Sequence, residues 1–301
     1  TPFKRCIDDN ALLRAQFNQT VTKTHRLSSS GTVYRVQFQN LPRVYKTMFK
    51  ARYEGWKVME IDGAQLEFRV AAYCGQDQRA YYDITHGVDV HQFTADTITA
   101  AGQETDRQTA KAHTFKPLFG GFSGTDAEKT YYKEFQAKYP GVTQAQESWV
   151  QEAVMNKTLR LHSGLITYWP YCKRSKTGYI EESTKIYNLP IQSLATAEII
   201  PVAVLCLWHK MKNRNLKSFI VNTVHDSAII EVHPDEIEEV KELAVQAFSR
   251  SVYKYLQEIY GIEFNIPLGT EIKVGNHWNE ADEGETKHTP ECPFKFNEEI
   301  K

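Results

Sequence analysis

Two aspartates stand at the ends of apolar runs that read as strands. Asp62 closes Val58-Met59-Glu60-Ile61-Asp62, and Asp226 lies within Val221-Asn222-Thr223-Val224-His225-Asp226-Ser227-Ala228-Ile229-Ile230. Between them Arg107, Lys111, Phe115 and Phe119 recur every four residues. Magnesium is held by a few carboxylates plus substrate phosphates, and a pair of ions can bridge a triphosphate and an attacking hydroxyl, so the combination points to phosphoryl transfer on nucleotides. Each feature also has a plainer reading. Asp is common in turns, while cations at helical spacing often form a solvated face and Phe at that spacing often packs in a core. The apolar flanks favour the chemical reading of the aspartates, because an acid inside an apolar run needs a partner. Steps of four residues drift by ~40° around a helix, so the four side chains would trace a slowly turning stripe. Gly120-Gly121-Phe122-Ser123-Gly124, directly after it, reads as a flexible junction.

The elements that must position these groups are legible in outline. Lys57 to Ile61 alternates as a strand, and Leu66, Val70 and Tyr73 share a helical face, which puts Asp62 at a strand-to-helix junction. A helix is expected from His91 to Thr99 and another from about Thr105. Thr125-x-x-Glu128 and Thr143-x-x-Gln146 fit capping boxes, with Tyr139-Pro140-Gly141 separating their helices. Arg160 to Tyr187 reads as a hairpin-like excursion around Ser175-Lys176-Thr177-Gly178, and Ile191 to Met211 as a buried helix after Pro190 that Pro201 should kink. Phe219 to Val224 and Ala228 to Val232 form a hairpin with an acidic tip at His225-Asp226-Ser227. Glu236 to Tyr260 is helical, Phe264 to Val274 returns to strand, and the polar stretch from Glu280 reads as a mobile tail. Strands near Asp62, the Asp226 hairpin and the last strand would form one antiparallel sheet backed by helices, an α+β fold with a helical insertion.

With 301 residues, 41% of them hydrophobic and 24% charged, the chain is neither disordered nor fibrous. A net charge of -1 leaves any nucleic-acid binding to a local basic groove. Five cysteines, Cys6, Cys74, Cys172, Cys206 and Cys292, are widely spaced without a Cys-x-x-Cys pair, which argues against a disulfide framework or structural zinc. No stretch approaches ~18 uninterrupted apolar residues and Thr1-Pro2-Phe3-Lys4-Arg5 begins no signal peptide, so no membrane partner and a cytoplasmic location are expected.

Taken in order, these segments resemble the family A DNA polymerases, which include bacterial polymerase I and many phage replicases. His25-Arg26-Leu27-Ser28-Ser29-Ser30 with Gln39-Asn40-Leu41-Pro42 is similar to the family's primer and template contacting segment, and Asp62-Gly63-Ala64-Gln65-Leu66-Glu67-Phe68-Arg69 to its motif A. Arg107 to Gly120 is similar to its fingers helix, and Val224-His225-Asp226-Ser227 to its motif C. The likeness runs from Phe17-Asn18-Gln19-Thr20 to Gly275-Asn276-His277-Trp278.

The resemblance implies a palm over 1–75 and 143–285, fingers over 76–142 and a polar tail over 286–301, without a thumb or exonuclease domain, the stretch before Asp62 being short for either. It implies Asp62 and Asp226 as catalytic metal ligands, with the Gly63 carbonyl, for two Mg2+ ions that Mn2+ can replace. Gln65, Glu67, His91, Arg107, Lys111, Phe115 and Phe119 would form the nucleotide site, with Glu67 as the gate against a ribose 2'-hydroxyl. Arg26, Gln39, Asn40, Arg69, Gln192 and His225 would touch DNA; Gln192, in Asn188-Leu189-Pro190-Ile191-Gln192, reads equally as a cap at a helix start. The implied partners are primer-template DNA, deoxynucleoside triphosphates and a separate chain for grip, processivity or proofreading, in a host cytoplasm if the source is a phage.

Departures from the pattern are local. Phe119 stands for the usual Tyr and offers no hydroxyl to Glu67, Ser227 stands where Glu is common, Gly63 replaces an aromatic, and Pro117 should kink or end the fingers helix near His113. A single-subunit RNA polymerase and a silent or split DNA-binding module are the alternatives; Glu67 argues against the first, clustered carboxylates that would repel phosphate argue against a silent relic, and the split enzyme stays open.

Overall fold

A computed structural model of the chain describes residues 7–19, 21–29, 37–280 and 284–296. Residues 1–6, Thr20, Ser30, residues 281–283 and 297–301, named above, lie outside them. The chain divides into two compact units, one drawn from 1–64, 195–255 and 268–290 and the other from 65–194, 256–267 and 291–301.

The first unit is built on a five-stranded sheet. Its strands are β3 (Lys57–Ala64), β6 (Phe219–Val224), β7 (Ser227–Val232), β8 (Gly269–Gly275) and β9 (Thr286–His288), in the order β6-β7-β3-β8-β9. All neighbours are antiparallel, as the alternation of β3 and the hairpin predict. Met59 and Ile61 point to one face and are fully buried, as are Ile230 and Val232 beside them; each such side chain contributes roughly 1.5–3 kcal/mol of burial. Helices α9 (Ile200–Asn213) and α10 (Ile237–Val245), with a π-helical segment at Gln246–Ser251, pack on one another and on β6 and β8. Val58, Glu60 and Asp62 point to the other face. Its outer part is closed by Phe38, Leu41, Ala51 and Trp278, which cluster with Val58 and Ile229. Short elements complete the cover: β1 (Phe17–Asn18) pairs with β2 (Ser28–Ser29), and α1 (Arg43–Lys46) follows.

Two expectations fail in this unit. The stretch from Glu280 is not simply a tail, because Thr286–His288 adds an edge strand, with Lys287 opposite Glu271. Strand structure resumes at Gly269, so Phe264 and Ile266 are buried without being in a strand.

The second unit is mainly helical: α2 (Leu66–Gly75), α3 (Gln78–Thr85), α4 (Val90–Ala100), α5 (Arg107–Thr114), α6 (Asp126–Lys138), α7 (Pro140–Asn156) and α8 (Ser183–Gln192), with a hairpin of β4 (Thr158–Arg160) and β5 (Ile166–Tyr168). Helix α11 (Val252–Tyr260) carries the chain from the first unit into the second. The Thr125 capping box is present. The one expected at Thr143 is not: Pro140 opens α7, since its missing N–H costs nothing in a first turn, and Thr143 lies inside the helix donating to the Tyr139 carbonyl.

The carboxylate of Asp77 instead serves both helices. One oxygen accepts from the Ala80 N–H at the start of α3 (2.9 Å) and the other from Gly141 and Val142 at the start of α7 (2.8 and 3.2 Å). Gly75 and Gly141 let the two backbones meet, because a Cβ on Gly75 would lie 2.5 Å from the Gly141 carbonyl carbon. This contact joins α2 to the second unit, whose boundaries fall at 64/65 and 194/195.

Three further differences have local causes. Pro117 ends α5 at Thr114 and starts a 3-10 turn, Lys116–Phe119, so the four-residue stripe breaks after Phe115. Gly120 is not a loose joint: it is buried at φ +69°, and a Cβ there would meet the Tyr187 ring at 2.6 Å. Helix α8 begins at Ser183, well before Pro190, so Gln192 caps no helix start. The chain continues through a π-helical segment, Ser193–Ile199, into α9. This widened turn absorbs the backbone bond that Pro201 cannot make. By length and composition the run Ser183–Asn213 would suffice to cross a membrane; half of its most apolar stretch is buried, as in a core helix.

Candidate active site

The sheet register brings the two aspartates of the first unit together. Asp62 pairs with Ser227 on β7, Asp226 sits in the two-residue turn just before it, and the Gly63 N–H donates to the Asp226 carbonyl at 3.1 Å. His225, at φ +54°, gives the turn the left-handed residue that tight hairpins favour. Burial first, and then the charge of Asp226, pushes the Asp62 carboxyl well above the ordinary carboxylate range. Burial likewise raises Asp226, against the pull of its backbone bond and of Arg26.

Glu60 and Glu271 add to this repulsion. Glu271 lies directly opposite Asp62 on β8. Glu60 was visible in the alternation of β3, but Glu271 depends on a long-range register that no local pattern encodes. Ser227 is buried, its hydroxyl donating to the Val224 carbonyl, and supplies no third acid.

The donor chemistry of this corner suits hard cations. It gathers carboxylates whose mutual repulsion a divalent ion would relieve. Among the described residues, no group of three or more His, Cys, Asp or Glu is placed to hold a metal ion by itself.

Arg26, Gln39 and His225 stand beside the turn and line one cavity of about 330 Å3. Arg26 Nη2 lies 2.9 Å from His225 Nδ1. Loss of water around the ring, then the Arg26 charge, holds the His225 pKa below its usual value. The ring is therefore neutral near pH 7, with Nδ1 accepting from Arg26 and the proton on Nε2. Asn40 is occupied locally, donating to Gln37 at 3.2 Å.

The remaining sequence-derived site residues belong to the second unit. Arg107 opens α5 and its Nε meets Asp89 at 2.6 Å; Asp89 also caps α4 through His91 and Gln92 N–H groups. Lys111 is exposed one turn on. His91 Nδ1 lies 2.9 Å from the Thr114 hydroxyl, and its ring meets Phe115 edge-on at 5.4 Å. Phe115, half-buried, stacks on Phe68. Gln65 is left-handed at φ +48°, Glu67 lies half-buried in the first turn of α2, and Phe119 is half-buried on the 3-10 turn. Gln192 is half-buried at the end of α8. Arg69 corrects the expected set: only 6% exposed, it donates to the Pro267 carbonyl inside this unit instead of facing a ligand.

Comparison with known proteins gives a consistent result. The family model described as DNA polymerase family A matches residues 2–280. DNA polymerase I of Lactococcus lactis subsp. cremoris is 26% identical over 310 residues, covering 91% of this chain and 32% of that protein. DNA polymerase I of Caldicellulosiruptor bescii is 30% identical over 287 residues, covering 88% and 32%. The chain thus spans about a third of the length of these curated relatives. Among solved structures, the POL domain of Pol1 from M. smegmatis, in complex with DNA primer-template and dNTP, shares the fold at a TM-score of 0.73 and 24% identity, covering 93% of this chain and 50% of that one.

Proposed function

We propose template-directed DNA synthesis as the activity of this chain, which belongs to DNA polymerase family A. The observation that carries the proposal is the meeting of Asp62 and Asp226 at the end of β3 and the tip of the β6–β7 hairpin. In the reaction a primer 3'-hydroxyl oxygen forms a bond to the α-phosphorus of a deoxynucleoside triphosphate. The bond to the bridging oxygen breaks, pyrophosphate leaves, and the hydroxyl proton passes to solvent. Asp62, Asp226 and the Gly63 carbonyl would hold two Mg2+ ions, or Mn2+ in their place. Such ions supply Lewis-acid activation and charge neutralisation.

The other residues bind and orient. Lys111, His91 and Arg107 take the triphosphate, and Arg107 exchanges Asp89 for phosphate as it does so. Phe115, backed by Phe68, offers a ring to the incoming base. Glu67 excludes a ribose 2'-hydroxyl, with Gln65 and Phe119 completing the nucleotide site. The Nε2–H of neutral His225 exchanges the Gln39 backbone for an acceptor in the minor groove, where an A·T pair offers acceptors in either orientation. Arg26, Gln39, Asn40 and Gln192 join it on the primer-template. Functionally we assign 1–75 and 143–285 to a palm and 76–142 to fingers, working in the cytoplasm on primer-template DNA and deoxynucleoside triphosphates.

Primer extension with magnesium and a defined template tests the proposal. Extension by the parent, lost in Asp62→Asn and Asp226→Asn variants that still fold, is the expected outcome; extension retained by either variant overturns it. Glu67→Ala should admit ribonucleotides that the parent rejects.

A further inference from the structure

The cavity lined by Arg26, Gln39 and His225 has a second wall. It is the outward face of α9, where Pro201, Val204, Leu205 and Trp208 follow at helical spacing. The opposite face of this helix is buried through Ala203, Leu207 and Met211, whereas Leu205 is 55% and Trp208 45% exposed. Large apolar side chains left side by side in water mark a recognition surface.

The chemistry around this trough defines its occupant. Lys212 stands over the Trp208 ring at 4.9 Å, Arg26 lines the cavity, and among the described residues no carboxylate lines it. The occupant is therefore apolar on the face it presents and anionic along its margin. A nucleic-acid strand has this pattern, with deoxyribose and base faces between phosphates, and cations over aromatic rings are a recurrent part of such surfaces. The trough also runs without a break into Arg26, Gln39 and His225, the residues given above to the minor groove.

We propose that the α9 trough is a further DNA-contact surface, in which Leu205 and Trp208 pack on the sugar edge of the duplex behind the primer end. This rests on the polymerase reading. The helix rises 1.5 Å per residue, so Ile200 to Trp208 spans ~12 Å, about three to four base pairs at 3.4 Å each. The contact engages only when the duplex extends that far beyond the primer end.

Binding of fluorescently labelled primer-templates with duplexes of increasing length tests the proposal. For the longer duplexes Trp208→Ala raises the Kd roughly tenfold. Trp208→Phe retains most of the affinity, and the difference from the parent vanishes when the duplex is too short to reach α9. Equal Kd values for Trp208→Ala and the parent at every length overturn the proposal. So does a variant that changes only self-association in light scattering, which would assign the trough to a protein partner. The two readings separate cleanly: a parent that extends primers while Trp208→Ala binds normally sinks the trough alone. A parent that binds DNA through Trp208 without extending it sinks the polymerase reading alone. A parent that binds no DNA sinks both.

Discussion

At the centre of the five-stranded sheet Asp62 and Asp226 oppose each other's ionisation, whereas at its β8–β9 edge the acids are answered by lysines of the same chain. Lys287 meets Glu271 at 2.9 Å and Glu285 at 3.3 Å, and Lys273 meets Glu285 at 2.9 Å. Burial works against Glu285, yet its bond to Lys273 prevails and brings its pKa down to about 2. Asp62, opposite Glu271 on the neighbouring strand, is driven the other way by burial and by Asp226. The edge is a settled set of charges. The corner is unsettled, which is the state expected of groups that wait for cations and phosphates from outside.

The largest test of this contrast separates activity from stability. Asp62→Asn or Asp226→Asn should lower primer extension by about 10^3-fold or more while raising the melting temperature of the ligand-free protein, because a buried like-charge repulsion is removed. A fall in melting temperature on removing the charge would break the comparison.

pH should move the two regions in opposite directions. The carboxyl of Asp62 is raised in the folded protein, so its contribution to stability is complete below the ordinary value of 3.8 and is lost as pH rises through the raised value. In the presence of a chelator, the thermal advantage of Asp62→Asn over the parent should therefore grow from about pH 4 to about pH 7. The carboxyl of Glu285 is depressed, so its contribution is present above the ordinary 4.5 and is lost as pH falls through about 2. Glu285→Gln should lower amide protection along β9 in the neutral range, where the Lys273 pair contributes, and blunt its further loss in acid.

Arg107 and Asp89 form an intermediate case, a settled pair that a triphosphate must reopen. Asp89→Asn keeps an oxygen for the cap of α4 but releases the cation. An exposed pair contributes under ~1 kcal/mol, so the KM for deoxynucleotides should fall about two- to fivefold. Steady-state kinetics with an unchanged or higher KM would remove Asp89 from this role. Smallest of all, Lys287→Met should cost less than ~1 kcal/mol by denaturant titration, since the residue is largely exposed.

What the sequence disclosed followed the range of each signal. The alternation of β3, the two-residue hairpin and the Thr125 box are local patterns, and each is present. Thr143 misled because Pro140 decides where α7 begins. Pro190 misled because a proline sat inside a helix that tertiary packing sustains. Arg69 misled because its acceptor, the Pro267 carbonyl, is remote in sequence. At the site, both aspartates were legible from their apolar flanks. Glu271 and the lysines that settle the sheet edge were not, because strand pairing across distant segments decides which charges meet.

The carboxylate of Asp77, shared by the starts of α3 and α7, gives residues 78–139 the character of a graft tied off at its root. The two ends are joined by one side chain and by the close contact of Gly75 with Gly141. Loop closure grows only slowly more costly with length. Insertions and deletions in the connections between its helices, away from Phe115 and Gly120 where the stretch packs on Phe68 and Tyr187, can thus accumulate without disturbing its stem.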